Sequence, residues 1–378
     1  MRIAFDGKAV IDRGGAGRYA VNLIENLLKI DNCNEYKFLF NSVRGNISEL
    51  PEVLNNKIKS IIGRYPNLFG SAHFLSPYKR NYPFLLRREK IDIFHGLFSM
   101  PVFSKSTKSI VTLHDITPVL SPDLFNKDLL RVRAKKIKLA LNSDFIIAPS
   151  NYSKNTIINQ FNISDRKIKV IYEGISDIFS PIPKDIAQRF IKDKYNIENK
   201  FILNVGLFLQ YKNKENLVKA YHCLIKNTEI GHDLVLIGSK NNEFENIQKL
   251  VKELNIMDKA IFTGFVPDED LSYFYSAADL FVFPSWAEGF GFPPLESMAC
   301  GTPVVASNST SIPEVTGDAA VLVNPANVDE IAEKMLLVIK NERLQEELRE
   351  KGLKRAKCFS WRKTAEETLE LYKQVCNS

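Results

Sequence analysis

The chain has 378 residues, a 45% hydrophobic share, a 25% charged share and a formal net charge of +7. These proportions are typical of a soluble globular protein and exclude disordered and fibrous classes, and the length suits two domains rather than one. No apolar run approaches the ~20 residues of a membrane span, and the N-terminus MRIAFDGKAV lacks a signal-peptide core. Five scattered cysteines, without CxxC spacing, predict a reducing cytoplasmic location with neither disulfides nor zinc.

The charge is distributed unevenly along the chain. Residues 1–180 hold 27 Lys/Arg against 16 Asp/Glu, a net +11, whereas the remainder holds 24 against 28, a net −4. A basic half suits nucleic acid, an anionic membrane surface or an anionic acceptor. Because no nucleic-acid motif is present, we expect no nucleic-acid partner. A merely solvated basic surface is the alternative.

Strand and helix patterns alternate in the N-terminal half, which predicts a parallel sheet with crossover helices. The strand Arg2–Phe5 leads into a glycine-rich loop that contains Gly15 and Gly17, and a helical pattern follows from Arg18. A glycine loop before a helix N-terminus is the usual arrangement for binding phosphate. A Rossmann dehydrogenase is excluded because GGAGR is not G-x-G-x-x-G and the strand Tyr36–Phe40 has no acidic residue at its end.

Three polar residues follow N-terminal strands. His114 and Asp115 come after Ile110–Leu113, and His95 comes after Ile93-Phe94. Ligands bind at the carboxyl ends of strands in open parallel sheets, which makes these residues candidates. Purely structural histidines are the alternative.

A predicted helix at 128–141 carries five basic residues opposite apolar ones. This face could contact lipid headgroups or could simply be solvated. The basic residues are Arg131, Arg133, Lys135, Lys136 and Lys138.

The segment 177–185 contains Pro181 and Pro183 and is predicted to be a linker. A second alternation begins at 201–206, and Lys212-Asn213 precedes the next helix. An ammonium and free N–H groups at a helix N-terminus can share one diphosphate and stabilise its charge as a leaving group.

The stretch 281–301 is predicted to form a strand, a glycine loop and a short helix. It places Glu288 in the loop and Glu296 in the helix, with seven residues between them. A carboxylate accepts hydrogen bonds from a sugar diol, while backbone N–H groups suit phosphate, so the combination predicts a sugar nucleotide. The alternative is that Glu296 only interacts with the helix dipole and Glu288 is loop surface.

The run PSWAEGFGFPPLESMACGTPVVAS, with IPEV and GDA after it, resembles the E-x7-E signature of family-4 glycosyltransferases. The resemblance is strong in the second half, moderate at 2–24 and 109–118, and weak between about 40 and 90, where acceptor recognition would lie. It implies an α/β GT-B fold, in which two Rossmann-like doubly wound domains face a cleft. The implied parts are an acceptor-binding domain at 1–178, a sugar-nucleotide-binding domain at 179–358, and a C-terminal helix at 359–378 that crosses back to the N-terminal domain.

The resemblance also implies residue roles. The catalytic residues would be Glu288 at the sugar hydroxyls, Lys212 at the diphosphate and His114 at the transferred sugar. Asp115 and His95 are assigned to acceptor binding or positioning. The implied donor-binding residues are Glu296, Gly289, Phe290, Gly291, Gly206, Gly264, Phe265, Val266, Gly15 and Gly17.

One position departs from the family. Leu207 stands where many members place a basic residue or threonine after the glycine, so a second cationic contact with the diphosphate is missing there. Arg18 or Lys8 could replace it.

The family implies a retaining, metal-independent enzyme that needs no cofactor. We find no donor-binding D-x-D motif, because Asp268-Glu269-Asp270 is predicted to cap a helix. The expected donor is GDP-mannose or a UDP-sugar, and the expected acceptor is a glycan or a lipid-linked glycan of bacterial surface polysaccharide, such as lipopolysaccharide. The enzyme would act in the cytoplasm, peripherally at the inner face of the membrane.

Two rival functions stay open. A GT-B epimerase would release nucleotide and an altered sugar without any acceptor. A non-catalytic subunit would bind the sugar nucleotide without turnover. The joint presence of Glu288, Glu296, Lys212 and His114 argues against a dead site.

Overall fold

The computed structural model describes residues 1–7, 9–11, 15–41, 58–63, 82–97, 101–117 and 127–377. It divides into two compact units. The first comprises Met1–Gly174 with Ser360–Ser378, and the second comprises Ile175–Phe359.

The described residues of the first unit form a seven-stranded parallel sheet in the order β3-β2-β1-β4-β5-β6-β7. The strand order therefore reverses between β1 and β4, which is the switch point where doubly wound sheets bind ligands. The strands are β1 (Arg2–Asp6), β2 (Glu35–Asn41), β3 (Lys59–Gly63), β4 (Ile93–Gly96), β5 (Lys108–Thr112), β6 (Phe145–Ala148) and β7 (Ile168–Val170).

Helices cover both faces of this sheet, so the strands are buried on both sides. Their sequences are therefore nearly continuous runs of apolar residues. One face packs Leu85 and Phe94 in a cluster, and the other packs Ile137 and Ile146. The helices are α1 (Gly15–Ile30), α2 (Tyr82–Arg88), α3 (Lys127–Ala140) and α4 (Asn151–Phe161).

The chain returns to this unit at its end. The C-terminal helix Trp361–Asn377 packs along α1, and its Tyr372 hydroxyl lies 2.7 Å from His95 Nδ1. The predicted return of the last helix to the N-terminal domain is therefore confirmed.

The described residues of the second unit form a six-stranded parallel sheet in the order β10-β9-β8-β11-β12-β13. Its order reverses between β8 and β11, so this sheet is doubly wound as well. The strands are β8 (Lys200–Val205), β9 (His232–Ile237), β10 (Ala260–Gly264), β11 (Leu280–Phe283), β12 (Val304–Ser307) and β13 (Val321–Val323).

The helices of this unit are amphipathic and bury their apolar faces against the sheet. Leu217 and Val251, for example, lie in one core cluster with Leu234 of β9. The helices are α5 (Lys184–Tyr195), α6 (Lys214–Asn227), α7 (Asn242–Glu253), α8 (Asp268–Ala277), α9 (Phe292–Ala299), α10 (Ile312–Thr316), α11 (Val328–Lys340) and α12 (Glu342–Ala356).

The starts of α1 and α5 differ from the sequence prediction. Helix α1 begins at Gly15 rather than at Arg18. The predicted linker at 177–185 ends early, because α5 begins at Lys184 with Pro183 as its N-cap. Proline is compatible with a helix start. Pro183 therefore marks the start of helix α5 rather than an inner position of the predicted linker.

Among the helices that the structure describes, none is both long enough and apolar enough to cross a membrane.

Candidate active site

Lys212 and Glu288 form a close ion pair in the second unit. Lys212 Nζ lies 2.6 Å from Oε1 and 2.8 Å from Oε2 of Glu288. Both side chains are largely buried, with 16% and 12% of their surfaces exposed. The ammonium also lies 5.1 Å and 5.4 Å from the ring centroids of Tyr211 and Phe283, so it is held over two aromatic faces.

The backbone around Lys212 is tied to the loop that carries Glu288. Lys212 ends a single 3-10 turn, Gln210–Lys212, and Asn213 follows in the left-handed conformation at φ 55°. The Asn213 amide donates to the carbonyl oxygens of Pro284 at 2.9 Å and Pro325 at 2.8 Å. Since Lys212 follows β8 and Glu288 follows β11, the pair lies at the switch point of this sheet.

The Glu288 side chain has a further polar neighbour. Ser285 Oγ lies 2.7 Å from Glu288 Oε1 and 2.9 Å from the Tyr211 carbonyl oxygen. Ser285 was not singled out in the sequence, although it belongs to the same motif.

The loop 288–291 is shaped by its own backbone contacts. The Glu288 N–H donates to Thr310 Oγ1 at 3.0 Å, and Ser311 Oγ lies 2.7 Å from the Phe290 carbonyl oxygen. Gly291 has φ +118°, and a Cβ there would lie 2.7 Å from Ile312 Cδ1, so glycine is required.

The loop leads into helix α9, which begins at Phe292 with Gly291 as its N-cap and no side-chain cap. The Phe290 ring is buried against Phe292 and Phe359, so this side chain packs into the unit rather than facing solvent.

Glu296 lies on α9 and is 2% exposed. The Tyr275 hydroxyl donates to its Oε2 at 2.8 Å. Burial, together with the Glu296 charge, raises the pKa of the neighbouring Cys300 thiol. Tyr275 was not predicted from the sequence, because no motif marks it.

The other glycines of the predicted donor site lie at strand ends. Gly206 follows β8, Gly264 ends β10, and Gly238 between them donates its N–H to the Gly264 carbonyl at 3.0 Å. A Cβ on Gly238 would lie 2.1 Å from the Gly206 carbonyl oxygen, so the backbones of Gly206 and Gly238 are in close contact at this edge of the sheet. After Gly264, Phe265 is 66% exposed and Val266 is buried.

In the first unit, His114 contacts a carboxylate that sequence analysis missed. His114 Nδ1 lies 2.7 Å from Glu173 Oε1, and Nε2 lies 2.9 Å from the Leu97 carbonyl oxygen. A carbonyl oxygen only accepts, so Nε2 carries a proton. Glu173 is 3% exposed and follows β7, so the strand-end rule that selected His114 could also have found it.

Asp115 and His95 are arranged differently from His114. Asp115 accepts from the Thr117 N–H at 2.7 Å and lies 3.9 Å from Arg133, whereas the carboxylate beside His114 is Glu173. His95 is fully buried, with Nδ1 at 2.7 Å from Tyr372 and Nε2 at 2.8 Å from Thr112. Burial, with the charge of His114, lowers the pKa of His95 to about 3. We therefore propose a structural role for His95.

Gly15 and Gly17 lie in the first turn of α1. Gly15 is exposed, with open space where a Cβ would be, and Gly17 is buried. Arg18 is half-buried on the same turn, and Lys8 lies outside the described residues.

Over the described ranges, no group of three or more His, Cys, Asp or Glu side chains could hold a metal ion. The acidic run 268–270 occupies the first turn of α8, with Pro267 as the N-cap, so the predicted cap is corrected. Asp270 accepts hydrogen bonds from Lys194 and Tyr195, which gives it a structural partner on α5.

Comparison with known proteins agrees with this architecture. Residues 13–177 match the family described as Glycosyltransferase Family 4, and residues 187–355 match Glycosyl transferases group 1. The O-antigen chain mannosyltransferase B of Escherichia coli is 33% identical over 372 residues, which cover 95% of this chain and 96% of that protein.

Two solved structures share the fold. Sucrose-phosphate synthase from Thermosynechococcus elongatus aligns over 99% of both chains with a TM-score of 0.81 and 22% identity. HepE from Anabaena, in complex with UDP and glucose, aligns over 99% of this chain and 100% of that one, with a TM-score of 0.76 and 19% identity.

Two doubly wound parallel sheets, with the last helix returned to the first unit, define the GT-B fold of glycosyltransferases. The chain belongs to the family-4 glycosyltransferases, whose C-terminal part is the glycosyl transferases group 1 domain. The predicted fold class and the predicted glycosyltransferase function are thereby confirmed, and nothing in these comparisons supports the epimerase alternative.

Proposed function

We propose that this glycosyltransferase moves mannose, with retention of configuration, from GDP-mannose to a lipid-linked glycan of bacterial surface polysaccharide. The observation that carries the proposal is the Lys212–Glu288 pair at the switch point of the second sheet. The similarity to a mannosyltransferase of O-antigen synthesis supports mannose as the sugar. The UDP bound to HepE makes a UDP-sugar the alternative donor.

The proposed roles follow from the chemistry of each side chain. Glu288 accepts hydrogen bonds from hydroxyls of the transferred sugar, and Lys212 binds the diphosphate together with the backbone of residues 289–291. Glu296, held by Tyr275, accepts from the ribose diol. Gly206, Gly264, Phe265 and Val266 line the nucleotide with backbone atoms.

The bond between the sugar C1 and the phosphate oxygen breaks as the acceptor oxygen forms a bond to C1 on the same face. The acceptor hydroxyl gives its proton to the departing phosphate oxygen. Negative charge grows on the leaving diphosphate in this step, so a fixed ammonium at Lys212 stabilises the transition state more than the ground state. The family resemblance assigns His114 to the transferred sugar, and Gly15 and Gly17 to the donor phosphates; these assignments stay predictions.

Attachment to an anionic membrane surface is a further part of the proposal. Helix α3 buries Ile137 and Ala140 and exposes Arg131, Lys135 and Lys138 to solvent. Exposed basic residues near a membrane attract anionic lipid headgroups at about 1 kcal/mol each. Sedimentation with vesicles that contain anionic lipid tests this part, and binding equal to that of neutral vesicles would refute it.

The central test is ligand stabilisation followed by turnover, both in EDTA. UDP, GDP, ADP and TDP, with their common sugars, are compared by thermal shift; a ligand at 100 times its Kd stabilises by about 2.7 kcal/mol. We expect GDP and GDP-mannose to raise the unfolding temperature without metal. Transfer to the acceptor is then followed by mass spectrometry and the anomeric configuration by NMR.

If nucleotide binds without turnover, the protein is a non-catalytic subunit. Loss of transfer in EDTA would refute metal independence, and an inverted product would refute retention.

A further inference from the structure

Lys214 is a buried cation two residues beyond Lys212. It is the first residue of α6 and is 3% exposed. Its Nζ donates to Asn204 Oδ1 and, at 3.4 Å, to the Ile237 carbonyl oxygen. The ammonium therefore lies beneath the loop 206–212, at the carboxyl ends of β8 and β9.

Among the described residues, the groups that contact the Lys214 ammonium are uncharged, and one charged group lies nearby. Asn204 on β8 and Ile237 on β9 contribute uncharged oxygen atoms, and the Phe208 ring centroid lies 4.6 Å from Nζ. The charged group that faces it is Lys212, whose own partner is Glu288. Within the described part of the chain, no carboxylate forms an ion pair with Lys214.

This arrangement is costly for the folded protein. Burying a charge without a counter-ion is unfavourable, and a cation at a helix N-terminus also opposes the helix dipole. Burial, followed by the charge of Lys212, lowers the pKa of Lys214 to about 7. An unbranched apolar side chain of similar length would avoid this cost, so the amine calls for another explanation.

We propose that Lys214 is a second cation for the diphosphate of the donor, acting from beneath the loop, and that the donor binds together with a proton on this amine. This inference rests on the proposed function, because it requires a diphosphate at Lys212. It also answers the departure at Leu207, which is apolar and 49% exposed where many family members carry a basic residue. Lys214 thus supplies, from beneath the loop 206–212, the second positive charge that Leu207 does not provide.

The sign of the pH dependence follows from proton linkage. Near neutral pH part of the unliganded population has a neutral Lys214 amine, and a nearby anion favours the ammonium, so binding takes up a proton from solvent. The affinity for the donor is therefore highest below pH 7. It decreases as the pH rises above 7, by at most about tenfold per pH unit. A sugar nucleotide suits the test because its diphosphate, esterified at both ends, has no terminal phosphate that titrates near pH 6.

The test compares Lys214→Met with Lys219→Met by calorimetry, using GDP-mannose in one arm and UDP-glucose in the other. Lys219 lies on the same helix but is 41% exposed and paired with Glu215, so it is the matched control for loss of one charge. We expect Lys214→Met to bind the donor about tenfold more weakly at pH 7 and to lose the fall in affinity between pH 7 and 8.5. Lys219→Met should keep both the affinity and the pH dependence.

Proton uptake and stability separate an electrostatic role from a structural one. Calorimetry in buffers of different ionisation enthalpy should show fractional proton uptake for wild type above pH 7 and none for Lys214→Met. The variant should unfold at or above the wild-type temperature, because methionine fills the space without the cost of a buried charge.

Several results would overturn the proposal. One is wild-type affinity, or a retained pH dependence, in Lys214→Met. Another is binding by wild type without proton uptake, which decides the question even if the variant fails to fold. If wild type binds neither donor, the proposed function itself fails.

Discussion

Lys212 contacts both carboxylate oxygens of Glu288, at 2.6 and 2.8 Å, although the two residues lie 76 positions apart in the chain. In the function proposed above, the diphosphate of a donor competes with Glu288 for the Lys212 ammonium. The same carboxylate that is proposed to bind the sugar thus restrains the cation until the donor arrives.

Glu288→Gln should separate nucleotide binding from transfer. The amide keeps the size of the side chain but releases Lys212 from a charge-assisted pair, so we expect GDP to bind about threefold to tenfold more tightly. Transfer should fall by about a hundredfold, because the sugar loses a charged acceptor in the transition state. Glu215→Gln, an exposed acid paired with Lys219, is the control. Unchanged transfer in Glu288→Gln would rule out the central assignment.

Glu296 can be tested with a modified ligand. If its carboxylate accepts from the ribose diol, Glu296→Gln and a 2′-deoxynucleotide should each weaken binding, and their effects should not add in a double-mutant cycle. Tyr275→Phe removes one hydrogen bond to the buried carboxylate and should cost about 1 kcal/mol of donor affinity. Additive losses would place the ribose elsewhere.

Glu173 should act on the reaction through His114. Glu173→Gln keeps the shape of the side chain but removes the charge that contacts Nδ1, so we expect kcat to fall by about tenfold with the donor KM nearly unchanged. The imidazole nitrogen chemical shifts of His114, followed by NMR, should change in Glu173→Ala, because Nδ1 loses its hydrogen-bond partner. Glu366→Gln, which alters an exposed pair with Arg362, is the control. A change in KM alone would indicate a role in binding instead.

His95 should make stability depend on acid pH. Its folded-state pKa is about 3 because of burial, against about 6.5 when unfolded, so the unfolded chain binds more protons between these values. The contribution of His95 to stability is therefore constant above pH 6.5 and falls as the pH drops towards 3, by at most about 1.4 kcal/mol per pH unit. Urea unfolding across this range should show a shallower decline for His95→Gln. An identical pH dependence in wild type and variant would contradict the assignment.

Local sequence patterns predicted the secondary structure well where the period was clear. The strand before Glu288, the glycine loop and the short helix around Glu296 are all present, because proline and glycine restrict the backbone locally. The start of α5 at Lys184 was missed, since a proline-rich stretch is compatible with either a linker or a helix start.

Side-chain partners could not be predicted in the same way. Nothing in the sequence shows that Tyr275 donates a hydrogen bond to Glu296 or that Glu173 contacts His114. The position of Lys214 beneath the loop 206–212 is equally hidden. The same strand-end pattern selected both histidines, yet His95 lies within β4 and is fully buried between Tyr372 and Thr112, whereas His114 follows β5 and is partly exposed.

The sequence alone determined the class of fold, the family and the positions of Glu288, Glu296 and Lys212, because those depend on periodicity and on contiguous motifs. The tertiary structure decided which charges are paired and which are buried. The Lys212–Glu288 pair and the burial of Lys214 arise at the carboxyl ends of strands in the second sheet, and the His114–Glu173 contact arises at the carboxyl ends of strands in the first. Charge pairing depends on distance and burial, and both are set by how the strands are ordered in space.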